Sequence, residues 1–152
     1  MSTTNSFSLQ DKVVLLTGAA GLFGRGLAAA LAEAGATLVI ASRNADKLRN
    51  VAAEETARGH RVFAESFDQG DEASILALKT RIEERFGVLH GLVNNSVLRP
   101  MKGAQGSVAQ WEESLRVNAT GVMLMHRHFG EATAAAGRGS IVNIGSIQGM
   151  IG

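Results

Sequence analysis

Thr17-Gly18-Ala19-Ala20-Gly21-Leu22-Phe23-Gly24 is the stretch of this sequence that decides its fold. It follows the continuous apolar run Val13–Leu16, which is typical of a strand buried on both faces of a parallel sheet. From Phe23 to Ala34 apolar residues and alanines recur at helical spacing, and Gly35 supplies a stop. A glycine triplet alone could be a tight packing turn, but between a buried strand and an amphipathic helix it is predicted to hold a pyrophosphate.

The alternation of strand and helix continues along the chain. Further strands are predicted over Thr37–Ala41, Arg61–Ser66, Gly91–Asn94 and Ser140–Ile144. Helices are predicted over Ala45–Arg58, ended by Gly59, and over Glu72–Phe86, capped by Asp71 and closed by Gly87. After a loop over Leu98–Gly106, the capping-box pattern Ser107-Val108-Ala109-Gln110 opens a long helix through about His128 or, with an extra turn, Ala136.

This order of elements predicts a Rossmann-type α/β fold, in which helices cover both faces of a doubly wound parallel sheet. Right-handed crossovers favour the strand order 3-2-1-4-5. The chain then reverses direction between strands one and four, so a ligand crevice is expected over their C-terminal ends. The single domain is expected to span 1–152.

Composition excludes several classes of function. Fifteen basic and fourteen acidic side chains leave a net charge of +1, without the like-charged blocks of a nucleic-acid arm or a membrane-surface helix. The absence of cysteine excludes disulfides and thiolate metal sites. The polar N-terminus Met1–Gln10 lacks a secretion signal, and no apolar run is long enough to span a membrane, so we expect a soluble cytoplasmic protein.

The end of the second strand bears on the choice of dinucleotide. A carboxylate there accepts the ribose 2′-OH of NAD, whereas a neutral residue beside an arginine accommodates the 2′-phosphate of NADP. This chain has Ala41-Ser42-Arg43, so NADP(H) is favoured and NAD(H) is the alternative. Arg43 could instead be a solvated residue near the start of a helix.

Five motifs in order give the chain a close resemblance to the short-chain dehydrogenase/reductase family, classical type, from Lys12 to Gly152. They are the glycine turn, Phe67-Asp68, Leu92-Val93-Asn94-Asn95-Ser96, Arg116-Val117-Asn118 and Ser140-Ile141-Val142-Asn143-Ile144-Gly145-Ser146. The resemblance implies that Asp68 binds the adenine amine, that the backbone at Gln69 flanks the ring, that Asn94 braces the strand ends, and that Asn95 and Ser96 line the pocket. The predicted cofactor-binding residues are Gly18, Ala20, Gly21, Leu22, Phe23, Gly24, Ser42, Arg43, Asp68, Gln69, Asn95 and Ser96.

The sequence departs from the family pattern at two places. Leu22 stands at the middle glycine position and the glycine has moved to Gly21, a spacing of the extended subfamily, which leaves an epimerase or dehydratase as an alternative. Ser96-Val97 replaces the usual Ala-Gly, so the backbone near the nicotinamide ribose is expected to differ slightly.

The resemblance implies hydride transfer between the nicotinamide cofactor and a small alcohol or carbonyl substrate. Ser146 would hydrogen-bond the substrate oxygen, and Asn118 would hold a water of a proton relay. From the residues alone, Ser146 could equally cap a turn, and Asn118 could satisfy backbone groups in the long helix.

The family's tyrosine acid/base and its lysine are missing, because the chain has no tyrosine and its last residue is Gly152. The hypothesis is that these residues are the N-terminal part of a longer enzyme, whose further part would also cover strand five. The rival is a catalytically inactive nucleotide-binding or regulatory protein.

Further expectations concern metal binding and self-association. The histidines show no metal-ligand spacing, so no metal is predicted, and His60 and His90 are expected to face solvent. Trp111, Leu115 and Val122 lie on one apolar helical face, which in the family packs against a second subunit, so a homo-oligomer, dimer or tetramer, is expected.

Overall fold

The computed structural model describes residues 7–146 as a parallel five-stranded sheet flanked by helices. The strands are β1 (Val13–Thr17), β2 (Thr37–Ser42), β3 (Val62–Ser66), β4 (Gly91–Asn94) and β5 (Ser140–Asn143). The helices are α1 (Leu22–Glu33), α2 (Ala45–Ala57), α3 (Glu72–Phe86), α4 (Val108–Leu115) and α5 (Gly121–Ala135). The strand order is β3-β2-β1-β4-β5, which confirms the predicted fold class and topology.

The central strand β1 is buried along its whole length, which is why its sequence is apolar without alternation. Leu15 pairs with Val39 of β2 and with Leu92 of β4, so both edges of β1 carry hydrogen-bonded neighbours. Successive side chains point to opposite faces, and Leu15 and Leu16, both fully buried, belong to separate hydrophobic cores. One core packs against α3 and α5, and the other against α1 and α2.

The predicted helix starts follow from local capping. The side chains of Asn44 and Asp71 accept hydrogen bonds from the backbone N–H groups of Lys47 and Ala73. Ser107 forms the predicted capping box at the start of α4, where its hydroxyl and the side chain of Gln110 each accept a backbone N–H. These contacts satisfy donors that would otherwise be left free at the first turn.

The long helix differs from the prediction, because it is not continuous. A π-helical segment over Arg116–Thr120 separates α4 from α5, and α5 extends to Ala135. Apolar periodicity did not reveal this, since a single inserted residue shifts the apolar stripe by one position, and the short apolar patterns on either side of it are each still helical. The other boundaries agree with the prediction or differ from it by one residue.

The strand β5 is paired with β4 alone among the described strands. Its side chains are largely exposed, including Val142 at 46%. This agrees with the expectation of an apolar strand at the edge of the sheet.

The side chain of His90 hydrogen-bonds to the start of β1. The prediction that His90 faces solvent is therefore wrong. Its Nδ1 accepts a hydrogen bond of 3.0 Å from the backbone N–H of Val13. His60 is also half-buried, and its Nδ1 lies 2.9 Å from the carboxylate of the buried Glu55. Both rings therefore have structural partners.

Acid should weaken the fold through His90. Burial first, and then the positive charges of Lys12 and Arg138, lower the pKa of His90 from its ordinary value. The unfolded chain then binds the proton at a higher pH than the folded chain, so the free energy of unfolding falls as pH drops below about 6.5, the ordinary histidine value. We expect the urea midpoint to fall between pH 7 and pH 5.5, and to fall less in His90→Gln. Equal pH dependence in the two proteins would contradict this role.

Candidate functional site

The glycine turn between β1 and α1 is shaped by backbone contacts that leave no room for side chains. Gly18 has a φ of 69°, and its N–H donates to Ala41 O at 2.8 Å. A Cβ on Gly24 would lie 2.2 Å from the carbonyl oxygen of Gly18. Two of the three glycines are thus required by the backbone itself.

Gly21 has a different reason to be glycine. It is the N-cap of α1 and has no side chain to cap the helix. A Cβ there would meet only the Gly18 oxygen, at 3.4 Å, which is ordinary contact, among the described residues. Gly21 lines the cleft over the sheet, and its lack of a side chain leaves more room there beside the first turn of α1.

A hydroxyl and an amide bind the end of β4 to the glycine turn. Thr17 Oγ1 accepts hydrogen bonds of 3.0 Å from the backbone N–H groups of both Asn95 and Ser96. The Asn95 side chain donates to the carbonyl oxygens of Thr17 and Gly18, at 3.3 and 3.2 Å. Thr17 was not among the predicted site residues, although a threonine that ends a buried strand was the available signal.

The end of β2 presents a hydroxyl and two cations. The buried Ser42 Oγ has no hydrogen-bond partner among residues 7–146. Arg43 and Lys47 are exposed, and neither forms an ion pair within the part of the chain that the structure describes. Lys47 was missed by sequence reasoning, because a lysine in a first helical turn is ordinarily a solvated residue.

The residues after β3 are held in a tight turn. Asp68 Oδ1 accepts a hydrogen bond of 2.8 Å from the Gly70 N–H, and the Asp68 N–H donates to Ser74 Oγ at 2.9 Å. The side chain of Gln69 is buried, and its Nε2 donates to Val117 O of the π-helical segment at 3.0 Å.

These strand ends surround one cleft of about 580 Å³ at the carboxyl edge of the sheet. All twelve predicted cofactor-binding residues line it, from Gly18 through Ser96. The other lining residues are Asn44, Lys47, Phe67, Val97, Leu98, Arg99 and Val117. Leu22 and Phe23, at the start of α1, are 99% and 64% exposed, so this apolar surface is available to a ligand.

Asn118 is not among the residues that line the cleft in the described part of the chain, although it hydrogen-bonds to one of them, Leu98. Its Oδ1 accepts from the Leu98 N–H at 2.8 Å, and its Nδ2 donates to Leu98 O at 2.7 Å and to Ser114 Oγ at 3.1 Å. The residues that were predicted to be cofactor-binding are brought together, whereas Asn118 acts on the cleft through the backbone of Leu98.

Ser146 lies three residues beyond the end of β5 and is exposed. Like Asn118, it is not among the described residues that line the cleft. The preceding strand end is braced by side chains. Asn143 Oδ1 accepts from Asn94 Nδ2 at 2.9 Å and lies 2.9 Å from His126 Nε2. The bracing role expected of Asn94 is therefore present.

Other candidate sites are weak in this structure. Among the described residues there is no group of three or more histidine, cysteine, aspartate or glutamate side chains placed to hold a metal ion. His128 instead lies 2.7 Å from the Glu72 carboxylate. Over residues 7–146, no helix combines the length and the apolar character that crossing a membrane requires.

Fold and cleft together define a Rossmann-type α/β protein with a glycine-rich turn at its ligand crevice. The model of the short chain dehydrogenase family matches residues 12–152. The cis-4-hydroxycyclohexanecarboxylate dehydrogenase of Sinomonas cyclohexanicum is 37% identical over 93% of this chain and 57% of its own length.

Solved structures agree with this relationship. A short-chain type dehydrogenase/reductase from Mycobacterium marinum superposes with a TM-score of 0.93 at 27% identity, over 99% of this chain and 62% of its own. A gluconate 5-dehydrogenase from Burkholderia cenocepacia, in complex with NADP and tartrate, gives a TM-score of 0.89 at 31% identity, over 99% and 60%. The chain belongs to the short-chain dehydrogenase/reductase family. It spans somewhat more than half the length of these relatives.

Proposed function

We propose that this chain binds a nicotinamide dinucleotide, with a preference for NADP(H), and forms the cofactor-binding part of an oxidoreductase that interconverts a small alcohol and its carbonyl compound. The observation that carries the proposal is the open glycine turn at the centre of the cleft. The proposed homo-oligomeric assembly and cytoplasmic location belong to the same hypothesis.

The turn suits a pyrophosphate for steric and electrostatic reasons. Gly21, which lines the cleft, leaves the first turn of α1 without a Cβ and without a side-chain cap at that position. The free N–H groups and the positive end of the helix dipole then favour the pyrophosphate, which carries one negative charge on each of its two phosphates. Gly18 and Gly24 set the backbone geometry of that turn.

The end of β2 suits a 2′-phosphate better than a free ribose 2′-OH. Arg43 and Lys47 provide positive charge without an internal counterion among the described residues, and Ser42 Oγ is a buried hydroxyl without a partner there. Asp68 is the one carboxylate in the described lining, and it follows β3, not β2. An arginine can bind a phosphate through two parallel hydrogen bonds. The Burkholderia relative was solved in complex with NADP, so NADP is one of the dinucleotides that a protein of this fold binds.

The dinucleotide would donate the hydride in carbonyl reduction and accept it in alcohol oxidation, and the residues of this chain would bind and orient the dinucleotide and the substrate. Ser146 is proposed to hydrogen-bond the substrate oxygen, and Asn118 to contribute to the proton relay. Leu98, held by Asn118, begins the loop that would form one wall of the substrate pocket. Because the sequence contains no tyrosine, the tyrosine acid/base of the family is not supplied by these residues.

The surface of α4 supports self-association. Within the described structure none of its residues is buried, and Val108, Trp111 and Leu115 are 72%, 54% and 45% exposed. An apolar helical face of this kind favours contact with another subunit.

Titration of the chain with NADPH and NADH tests the proposal directly. We expect both to bind, and the Kd of NADPH to be at least about tenfold lower, since a single charge-assisted contact contributes roughly 1.5 to 3 kcal/mol. Calorimetry at fixed ionic strength measures both constants. If neither dinucleotide binds, the proposed function is overturned, whereas equal affinities would overturn the preference alone.

A further inference from the structure

The side chain of Gln69 connects the turn after β3 to the long helix. Gln69 is only 3% exposed, and its Nε2 donates to the carbonyl oxygen of Val117 at 3.0 Å. Val117 is also buried. The family resemblance implied a role for the backbone of Gln69 beside the adenine, and it assigned no role to this side chain.

The π-helical segment explains why Val117 needs such a partner. In an α-helix the N–H of Gly121 would donate to Val117 O, four residues earlier. Here that N–H donates to Arg116 O, five residues earlier. The carbonyl of Val117 has therefore lost its α-helical donor, and the Gln69 amide supplies one inside the protein, where an unpaired carbonyl is costly.

The surrounding residues fit this contact closely. A Cβ on Gly121 would lie 2.3 Å from Gln69 O and 2.9 Å from Gln69 Cγ, so the loop can approach the helix only because residue 121 is glycine. The guanidinium of Arg116 donates to Gly70 O at 2.5 Å. The turn after β3 is thus hydrogen-bonded to the first two residues of the π-helical segment, and it approaches Gly121 directly after the segment's end.

Asn118 follows Val117 in that segment, and its side-chain amide hydrogen-bonds to both the N–H and the carbonyl oxygen of Leu98. If Gly121 returned to Val117 O, the helix would lose its extra residue and Asn118 would rotate away from Leu98. Removing the extra residue would also require α5 to rotate, and the packing of Met125 and Phe129 in the core opposes that rotation.

We infer that Gln69 is a positioning residue: its side-chain amide stabilises the π-helical segment, so that Asn118 holds Leu98 and the start of the Leu98–Gly106 loop at the cleft. The inference concerns the same site as the proposed function and depends on it only for the ligand that the loop would face. The geometry itself is a property of the chain without any ligand.

Amide hydrogen exchange by NMR, without dinucleotide, tests the inference. In the native chain we expect the Leu98 N–H and the side-chain amides of Gln69 and Asn118 to exchange slowly. Gln69→Met keeps the length of the side chain and removes the donor. It should speed exchange of the Leu98 N–H about tenfold or more and shift the Asn118 side-chain resonances.

Two comparisons separate positioning from a general loss of stability. Val51→Ala truncates a buried side chain on the opposite face of the sheet, and it should leave the Leu98 N–H protected relative to the core amides. In an Asn118→Leu background, Gln69→Met should add little, because both changes would act on one linkage.

Three results would overturn the inference. They are unchanged Leu98 exchange in Gln69→Met, an equal acceleration in Val51→Ala, and additive effects of Gln69→Met and Asn118→Leu. If Gln69→Met does not fold, the native chain alone still provides a test, because fast exchange of its Gln69 side-chain amide would overturn the inference. Because no dinucleotide is present, the outcome is independent of whether the proposed function holds.

Discussion

Gly24→Ala should abolish measurable dinucleotide binding and lower the free energy of unfolding by about 1 to 3 kcal/mol or more, the range for overpacked interiors. The new Cβ would lie 2.2 Å from Gly18 O and 2.8 Å from Ala19 Cα. Both atoms belong to the backbone of the turn, so the clash cannot be relieved by a rotamer change. The turn would have to open, and its N–H groups would no longer converge on a phosphate.

Gly26→Ala is the matched control for this prediction, because it makes the same chemical change two residues later in α1. A Cβ on Gly26 meets no described atom within 4 Å. Alanine there should raise the free energy of unfolding by about 0.5 to 1 kcal/mol, since it replaces a glycine in a helix interior. Chemical denaturation and dinucleotide titration of both variants measure the contrast. Native-like binding by Gly24→Ala would contradict the structural account of the turn.

Arg43→Ala should weaken NADPH binding by roughly 10- to 150-fold, which corresponds to about 1.5 to 3 kcal/mol for a hydrogen bond to a charged group. NADH affinity should change by less than about twofold, because NADH carries no 2′-phosphate for the guanidinium to bind. The NADPH loss should decrease at high salt, since Arg43 is exposed and its charge is screened. Calorimetric titration with both dinucleotides gives the two ratios.

Arg49→Ala provides the comparison for Arg43→Ala. Arg49 lies in the same helix α2, forms an ion pair with Asp46, and is not among the described residues that line the cleft. Its removal changes the net charge equally and should leave both affinities unchanged. If Arg49→Ala weakens NADPH as much as Arg43→Ala, the effect is one of net charge and the assignment of Arg43 is wrong.

Much of the fold could be predicted because its signals are local. The run Val13–Leu16 is apolar at every position, which only a strand covered on both faces requires. Ser107 and Gln110 marked the start of α4 through a capping box that involves four consecutive residues. Strand order then followed from the doubly wound arrangement of dinucleotide-binding folds together with right-handed crossovers, with no information about individual contacts.

The cleft could be predicted in outline for a related reason. Carboxyl ends of parallel strands meet at one edge of the sheet, so the glycine turn, Arg43, Asp68 and Asn95 had to converge there once the strand order was known. Lys47 and Thr17 were missed. Each is a common residue in a common position, and its importance lies in what it faces across the fold.

The sequence by itself determined the Rossmann-type topology and the glycine turn, because burial on both faces of β1 and the backbone clash at Gly24 are properties of neighbouring residues. Only the tertiary structure decided that the long helix carries a π-helical segment and that Gln69 satisfies its displaced carbonyl. That arrangement joins residues 48 positions apart in the chain. The residues before and after the segment are helical in either hydrogen-bond pattern, and the donor that stabilises the π-helical one is supplied from elsewhere in the fold.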